Sequence, residues 1–484
     1  MTGGRTWSFA ELDAEVTVTA RRLATLGVHA GDRVATLLHN AAGPAILVHA
    51  VLRLGATLVP LNTRLSEAEL AWQIRDAAPR LLVVEQRTVA MTERARRELP
   101  ELEVVSLDAA GAETLGGAAL GAHDAHDAGS WPVHAPDDVL AIIYTSGTTG
   151  RPKGVMLTVG NFWWSAIGSA LNLGTQTDDR WLVCLPLFHV GGLSILLRSA
   201  IYGITAVVHD GFDEHAVNRA IDDERVTIVS VVAVMLQRML IARDGKPFPS
   251  TVRCLLLGGG PAPRALLEQC VALRGPVVQT YGLTETASQA VTLAPEDAFR
   301  KLGSAGKPLY PNEVCILARG RDDAADGAGE ILVRGPVVMA GYAGRPDDTA
   351  QVIIDGWLHT GDIGRMDGDG FLYVLDRRDD LIITGGENVY PAEVEAVLLS
   401  HPLVTEAGVI GLPDERWGQR VVAIVRLAAG APSTAHSEAL RTFCRGQLAA
   451  YKTPSEIHVV GAPLPRTHSG KLRRGALREA FGAR

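Results

Sequence analysis

The eleven residues Tyr144 to Gly154 (YTSGTTGRPKG) follow an apolar run. They combine Gly147, Gly150 and Gly154 with the hydroxyls of Thr145, Ser146, Thr148 and Thr149 and the cations Arg151 and Lys153. Glycines let backbone N–H groups turn toward an anion, hydroxyls add donors, and Lys153 adds charge. The chemistry is phosphate binding. The spacing is not GxxxxGK followed by Ser or Thr, so a Walker-type loop is excluded. A second string, Tyr281 to Thr286 (YGLTET), offers an aromatic face and, at Glu285, a carboxylate suited to a hard cation.

These residues need a scaffold to hold them. Leu12, Val16, Ala20 and Leu23 recur at helical spacing between Glu11 and Leu26; a Gly31-Asp32 turn and the strand RVATLL follow. The alternation repeats as AILVHAVLRLG then ATLVPLN, and as SEAELAWQIRDAAP then RLLVVE. Short apolar strands between longer helices indicate parallel α/β units. Ser66 before Glu69 reads as a capping box. The Ala/Gly-rich stretch from Ala109 to Ser130 holds His123, Asp124, His126 and Asp127, and reads as a solvated loop rather than a metal site. After Gly329 the runs GEILVRG, FLYVLDRR and DLIITGG suggest smaller sheets. Two amphipathic helices, PAEVEAVLLSH and HSEALRTFCRGQLAAY, then flank the strand RVVAIVRL. The expected fold class is α/β. A large domain of parallel-type sheets with a small β-subdomain spans residues 1–378, and a small α+β domain spans 379–484.

The bulk numbers agree with a soluble enzyme of two or three domains. The chain has 484 residues and a formal net charge of -8, which gives no reason to expect nucleic acid or an acidic membrane as partner. Cys184, Cys254, Cys270, Cys315 and Cys444 are odd in number and widely spaced, so neither a disulfide framework nor a zinc site is expected, and a reducing cytoplasm fits. MTGGRTWSFAELD lacks the pattern of a secretory leader, and no apolar run reaches the length of a membrane span.

The string from Tyr144 to Gly154 resembles the phosphate loop of the adenylate-forming superfamily: acyl-CoA synthetases, peptide-synthetase adenylation domains and firefly-type luciferases. The resemblance extends over nearly the whole chain. It implies ATP, Mg²⁺ and, for a synthetase, CoA. By it Tyr281 stacks on adenine beside Gly282, Thr284 bonds the α-phosphate, and Glu285 holds the metal. Gly258, Gly259, Gly260 and Pro261 line the adenine pocket, while Asp362 and Arg377 reach the ribose. Asp379 is the hinge of a mobile C-terminal domain, and Lys471, in LPRTHSGK, drives adenylation. Gly385, Gly386 and Asn388 line the CoA tunnel. The implied chemistry is attack of a carboxylate on the α-phosphorus, followed by attack of a thiol on the acyl-adenylate. Many family members carry a lysine where this chain has Ile382 and Ile383.

His189, in PLFHVGG, resembles the family's substrate-side residue. The Asp that would hold an α-amino group is missing there, which argues against an amino acid. Longer stretches, among them LLLGGGPAPRALLEQC and YVLDRRDDLIITGGENVYPAEVEAVLLSHP, resemble one subfamily, the o-succinylbenzoate–CoA ligases of menaquinone biosynthesis. The implied substrate is an aromatic keto-diacid whose second carboxylate needs a cation or strong donors. Arg198 is the candidate, with Ser288 and Gln289 also near the acid. The alternatives are a broader acyl- or aryl-CoA synthetase, a luciferase-like oxygenase, and an adenylation enzyme loading a separate carrier protein. The sequence leaves a homo-oligomer open.

Overall fold

A computed structural model describes the chain outside residues 2–3, 66, 110–119, 121–129, 146–151, 261, 319–326, 378–381, 385–386, 390, 415–416, 429–435, 449, 468–469 and 483–484. Two seven-stranded sheets dominate. The first runs Gly341–Tyr342, Lys153–Thr158, Val139–Thr145, Thr57–Pro60, Arg33–Leu37, Leu81–Val84, Glu103–Ser106. Its last five strands are parallel, and its first two are antiparallel additions at the edge. The second runs Lys307–Pro308, Val291–Thr292, Val277–Tyr281, Cys254–Leu257, Ile228–Val231, Arg180–Val183, Thr205–Val208, again parallel with an antiparallel edge.

The helices follow from apolar spacing. Phe9–Thr25 buries Val16, Ala20 and Leu23, and Ser8 with Glu11 closes its capping box. Ala42–Arg53 and Glu67–Ala77 cover the first sheet as the alternation predicts; the Ser66 cap lies outside the described residues. One apolar core joins both large sheets, with Leu47, Leu58 and Leu81 from one side and Trp181 and Leu193 from the other. Each ribbon in the third sheet is antiparallel: Glu313–Leu317, Ala328–Arg334, Trp357–Met366 and Leu372–Arg377.

From Ile382 onward the chain builds cores of its own. Ile382, Val394, Val409 and Val425 pack on one face of a fourth sheet, and Ile410, Ile424, Leu464 and Leu477 on the other. That sheet contains Val404–Asp414, an eleven-residue strand absent from the sequence reading. Before Val409 it reads Val404, Thr405, Glu406, Ala407, Gly408, so no clean alternation announces it. Four of the five cysteines are buried and all five are free. Among the described residues no helix is long and apolar enough to cross a membrane.

Buried charge fixes the second sheet. The Asp179 side chain is wholly buried and receives Arg253 Nε at 2.7 Å, Arg253 Nη2 at 2.5 Å and Thr227 Oγ1 at 2.7 Å. Burial alone would raise its pKa, but the Arg253 and Thr227 hydrogen bonds hold it below the usual carboxylate value. Asp179→Ala leaves Arg253 without its carboxylate and is expected to cost about 3–5 kcal/mol in denaturant unfolding. Because the folded pKa is depressed, this contribution is present above the unfolded pKa near 4 and is lost as pH falls through the folded value. A variant with wild-type stability and acid sensitivity would refute the assignment.

Candidate active site

The segment Tyr281 to Gln289 reverses on itself at the end of a parallel strand. A β-carbon on Gly282 would lie 1.8 Å from the Ser288 carbonyl oxygen, so only glycine closes this reversal. Ala287 and Ser288 take φ of +49° and +93°, strained for residues with side chains. The strain is held by Ser288 N–H to Leu283 O, Ala287 N–H to Thr284 O and Leu283 N–H to Thr286 Oγ1.

This reversal gathers several expected site residues. The Tyr281 hydroxyl donates to Asp362 Oδ2 at 2.9 Å, and both residues are buried. Asp362 stands opposite Arg377 in the antiparallel pairing of their strands, so the two residues assigned to ribose are backbone neighbours. Gly258 abuts Thr280, the residue before Tyr281. Gly259 and Gly260 have φ of +78° and +159° in the adjoining turn, and Gly259 sits against Val232.

On the opposite side Glu285 is anchored by Met339 N–H to its carbonyl, and its Oε1 accepts from the Tyr342 hydroxyl at 3.1 Å. Burial, then the Glu285 charge and hydrogen bond, push the Tyr342 phenol above its ordinary pKa, so it stays a donor. Lys153 Nζ lies 5.1 Å from the Tyr342 ring centre. Lys153 pairs in register with Thr145 at the base of the phosphate hairpin. Glu285 is a hard oxygen donor of the kind Mg²⁺ takes. The described residues hold no group of three or more His, Cys, Asp or Glu suited to a metal. Tyr144, the first residue of the string, faces away from the loop. Its hydroxyl donates to Asp76 at 2.8 Å, as does Arg345 at 2.9 Å, so it braces the hairpin stem against the helix Glu67–Ala77 instead of facing phosphate.

His189 caps the helix Val190–Tyr202, with its ring 4.7 Å from that of Phe188. Burial, then nearby Arg64, lowers its pKa to about 4, so the ring is neutral at ordinary pH. Arg198, two turns further on and 3% exposed, donates to Ser165 Oγ at 3.0 Å, and Ser165 donates to Ala287 O at 2.7 Å. The guanidinium also lies 5.5 Å from the Trp181 ring. Among the described residues no carboxylate pairs with it. Buried Ser194, one turn before Arg198, and buried Gln289 each have an oxygen without a hydrogen-bond partner among the described residues. Ser165 and Ser194 were missed by the sequence reading, although each is a hydroxyl in an apolar helix, and Ser194 shares a face with Arg198 at i, i+4 spacing.

Asn40 was also missed. It is buried, donates to Leu185 O at 2.9 Å and accepts from Leu187 N–H at 3.0 Å, which ties the loop leading to His189 to the end of the first sheet. A β-carbon on Gly192 would meet Pro186 O at 2.3 Å, so the same loop is closed from below.

Lys471 ends a tight hairpin. Its N–H donates to Thr467 Oγ1, and Thr467 N–H to Lys471 O at 2.7 Å. A β-carbon on Gly470 would lie 3.5 Å from Val234, next to the Val232 that packs on Gly259, which brings the lysine's hairpin beside the glycine turn. Ser146, Gly147, Thr148, Thr149, Gly150, Pro261, Asp379, Gly385 and Gly386 lie outside the described residues; Arg377 and Asn388 are described in backbone only.

Residues 1–343 match the family model of the AMP-binding enzymes, and residues 393–471 match that of the AMP-binding enzyme C-terminal domain. The chain belongs to the AMP-binding enzyme family. It is 51% identical to the 2-succinylbenzoate–CoA ligase of Geobacillus kaustophilus, covering 98% of this chain and 93% of that protein. Its fold is similar to the o-succinylbenzoate CoA synthetase of Bacillus subtilis in complex with the acyl-adenylate intermediate OSB-AMP, with TM-score 0.87, 42% identity and coverage of 99% and 94%. The same synthetase in complex with ATP and magnesium ion gives TM-score 0.87 at 42% identity, covering 99% and 95%.

Two outcomes follow for this AMP-binding enzyme. Asn40→Ala should raise the KM for the acid roughly tenfold, about one hydrogen bond's worth, and leave the KM for ATP unchanged; equal rises in both would mean a general loss of structure. In an NMR titration His189 should stay neutral down to about pH 4. Its depressed pKa favours the fold fully above the unfolded value near 6.5 and progressively less below it. A midpoint near 6.5 would show a hydrated ring.

Proposed function

We propose that this enzyme joins o-succinylbenzoate to CoA, consuming ATP and releasing AMP and pyrophosphate through an acyl-adenylate, a step of menaquinone biosynthesis. The observation that carries the choice of acid is Arg198. A guanidinium buried with no carboxylate partner among the described residues is costly, and burial lowers its pKa. A substrate with a second carboxylate would supply the missing charge. Ser165 and Ser194 add hydroxyls beside it, and the neutral ring of His189 suits the uncharged body of the acid.

The roles of the remaining residues belong to the same reading. Tyr281 and the Gly258 to Gly260 turn hold adenine, and Asp362 with Arg377 the ribose. Thr284 bonds the α-phosphate, and Thr145, Lys153 and the hairpin between them the departing phosphates. Mg²⁺ beside Glu285 neutralises phosphate charge, and Lys471 adds a cation where the α-phosphorus is attacked. Oriented charges of this kind typically lower a barrier by about 3–4 kcal/mol each. The separate cores on either side of residue 379 support a hinge at Asp379, with the lysine's domain turning away before CoA enters along Gly385, Gly386 and Asn388. Five free cysteines suit a reducing cytoplasm.

The test is a coupled assay of AMP and CoA-thioester formation with o-succinylbenzoate, benzoate and a medium-chain fatty acid. Equal turnover of the fatty acid would overturn the choice of acid. Arg198→Met should weaken use of the diacid by roughly 30- to 1,000-fold and spare benzoate, the loss expected when one member of a buried charge pair goes. Lys471→Ala should abolish adenylate formation yet spare CoA transfer from pre-made adenylate.

A further inference from the structure

Lys153, assigned above to the phosphates, already has a partner. Its Nζ is 3.0 Å from Asp348 Oδ1, with the two side chains 14% and 31% exposed. Asp348 is held firmly in place. It lies in the short helix Pro346–Val352, and the neighbouring Thr349 accepts from Tyr342 N–H at 2.9 Å and donates to Arg345 O at 2.9 Å. Gly341 packs directly on Thr349. Tyr342 pairs with Val155 on the strand that begins at Lys153, and Ala343 N–H donates to Gly154 O at 2.8 Å. The lysine thus starts one strand and the aspartate sits in the helix that follows the adjoining strand Gly341–Tyr342, with the Tyr342 phenol leading on to Glu285.

A fixed carboxylate at this position is at odds with simple phosphate binding. It repels a polyphosphate and competes for the one ammonium the hairpin stem offers. A ligase that forms pyrophosphate must also let it go. We propose that Asp348 is a positioning residue that holds the Lys153 ammonium between turnovers and takes it back from pyrophosphate, so that it sets the rate of pyrophosphate release. This rests on the reading of Lys153 as a phosphate ligand. The carboxylate oxygen replaces a phosphate oxygen on the same ammonium, and no bond or proton is exchanged.

The experiment measures binding of magnesium pyrophosphate to the full chain by calorimetry, together with product inhibition of adenylation by pyrophosphate. Asp348→Asn keeps the size and an acceptor for Lys153 but removes the charge. It should bind pyrophosphate roughly tenfold more tightly, with inhibition tightened to match. Unchanged or weaker binding would overturn the proposal, weaker binding meaning that Asp348 only orients the lysine. Lys153→Gln and the double variant complete a cycle: with the lysine gone, the effect of Asp348→Asn should shrink several-fold. An undiminished effect in that background overturns the coupling. Should Lys153→Gln alone leave pyrophosphate affinity intact, it is the phosphate role of Lys153 that fails. A melting temperature for each variant separates these outcomes from misfolding.

Discussion

The absence of a side chain at Gly282 is the constraint on which the site turns. With the Ser288 carbonyl occupying the space of its β-carbon, the chain from Tyr281 to Gln289 folds into one compact reversal. Its three directions serve three ends. Tyr281 points back to Asp362, Glu285 reaches out to Tyr342, and the Ala287 carbonyl takes the Ser165 hydroxyl that also receives Arg198. Two residues at positive φ cost of order 1–3 kcal/mol each. The reversal's own hydrogen bonds and its anchors in two helices and two sheets over-determine the strain. A displacement at any one end is felt at the others.

Charge follows a consistent rule around this reversal. On the reading proposed above, two cations on the nucleotide side already have carboxylate partners: Lys153 has Asp348, and Arg345 has Asp76. Arg198, which the same reading places on the acid side, is met by a hydroxyl and an aromatic ring. On that reading an anion arriving at Lys153 displaces a carboxylate, while one arriving at Arg198 meets a charge with no carboxylate competitor among the described residues. The first arrangement favours turnover and the second favours discrimination. A chain of net charge -8 handles anionic ligands by such local placement rather than by its overall field.

What could be read in the sequence was whatever is contiguous. The alternation of Val34, Leu58 and Leu81 with amphipathic helices carries the parallel sheets, and YGLTET carries its aromatic ring and its carboxylate in one string. Arg198 was reached as the nearby cation that the implied second carboxylate would need. Tyr342, Asp348, Asn40 and Ser165 were not visible. Each acts on a partner between 33 and 195 residues away, through sheet pairing or helix packing that no local pattern encodes. Tyr144 opens the glycine-rich string, yet its side chain turns toward Asp76, a partner that adjacency in the string does not announce.

The Lys471 hairpin extends the same logic to motion. Arg466, at its base, donates to Gly470 O and lies 3.7 Å from Glu406, which also binds Arg426 and the Leu464 N–H. These partners all belong to the chain after Ile382, so Arg466 ties the base of the hairpin to its own sheet. At Gly470 the hairpin comes up beside Val234, where a β-carbon would lie 3.5 Å away. On the reading proposed above, a lysine carried in the frame of its own sheet delivers its charge for one half-reaction and leaves with that domain for the next. This is the mechanical property that an enzyme with two successive transition states at one site requires.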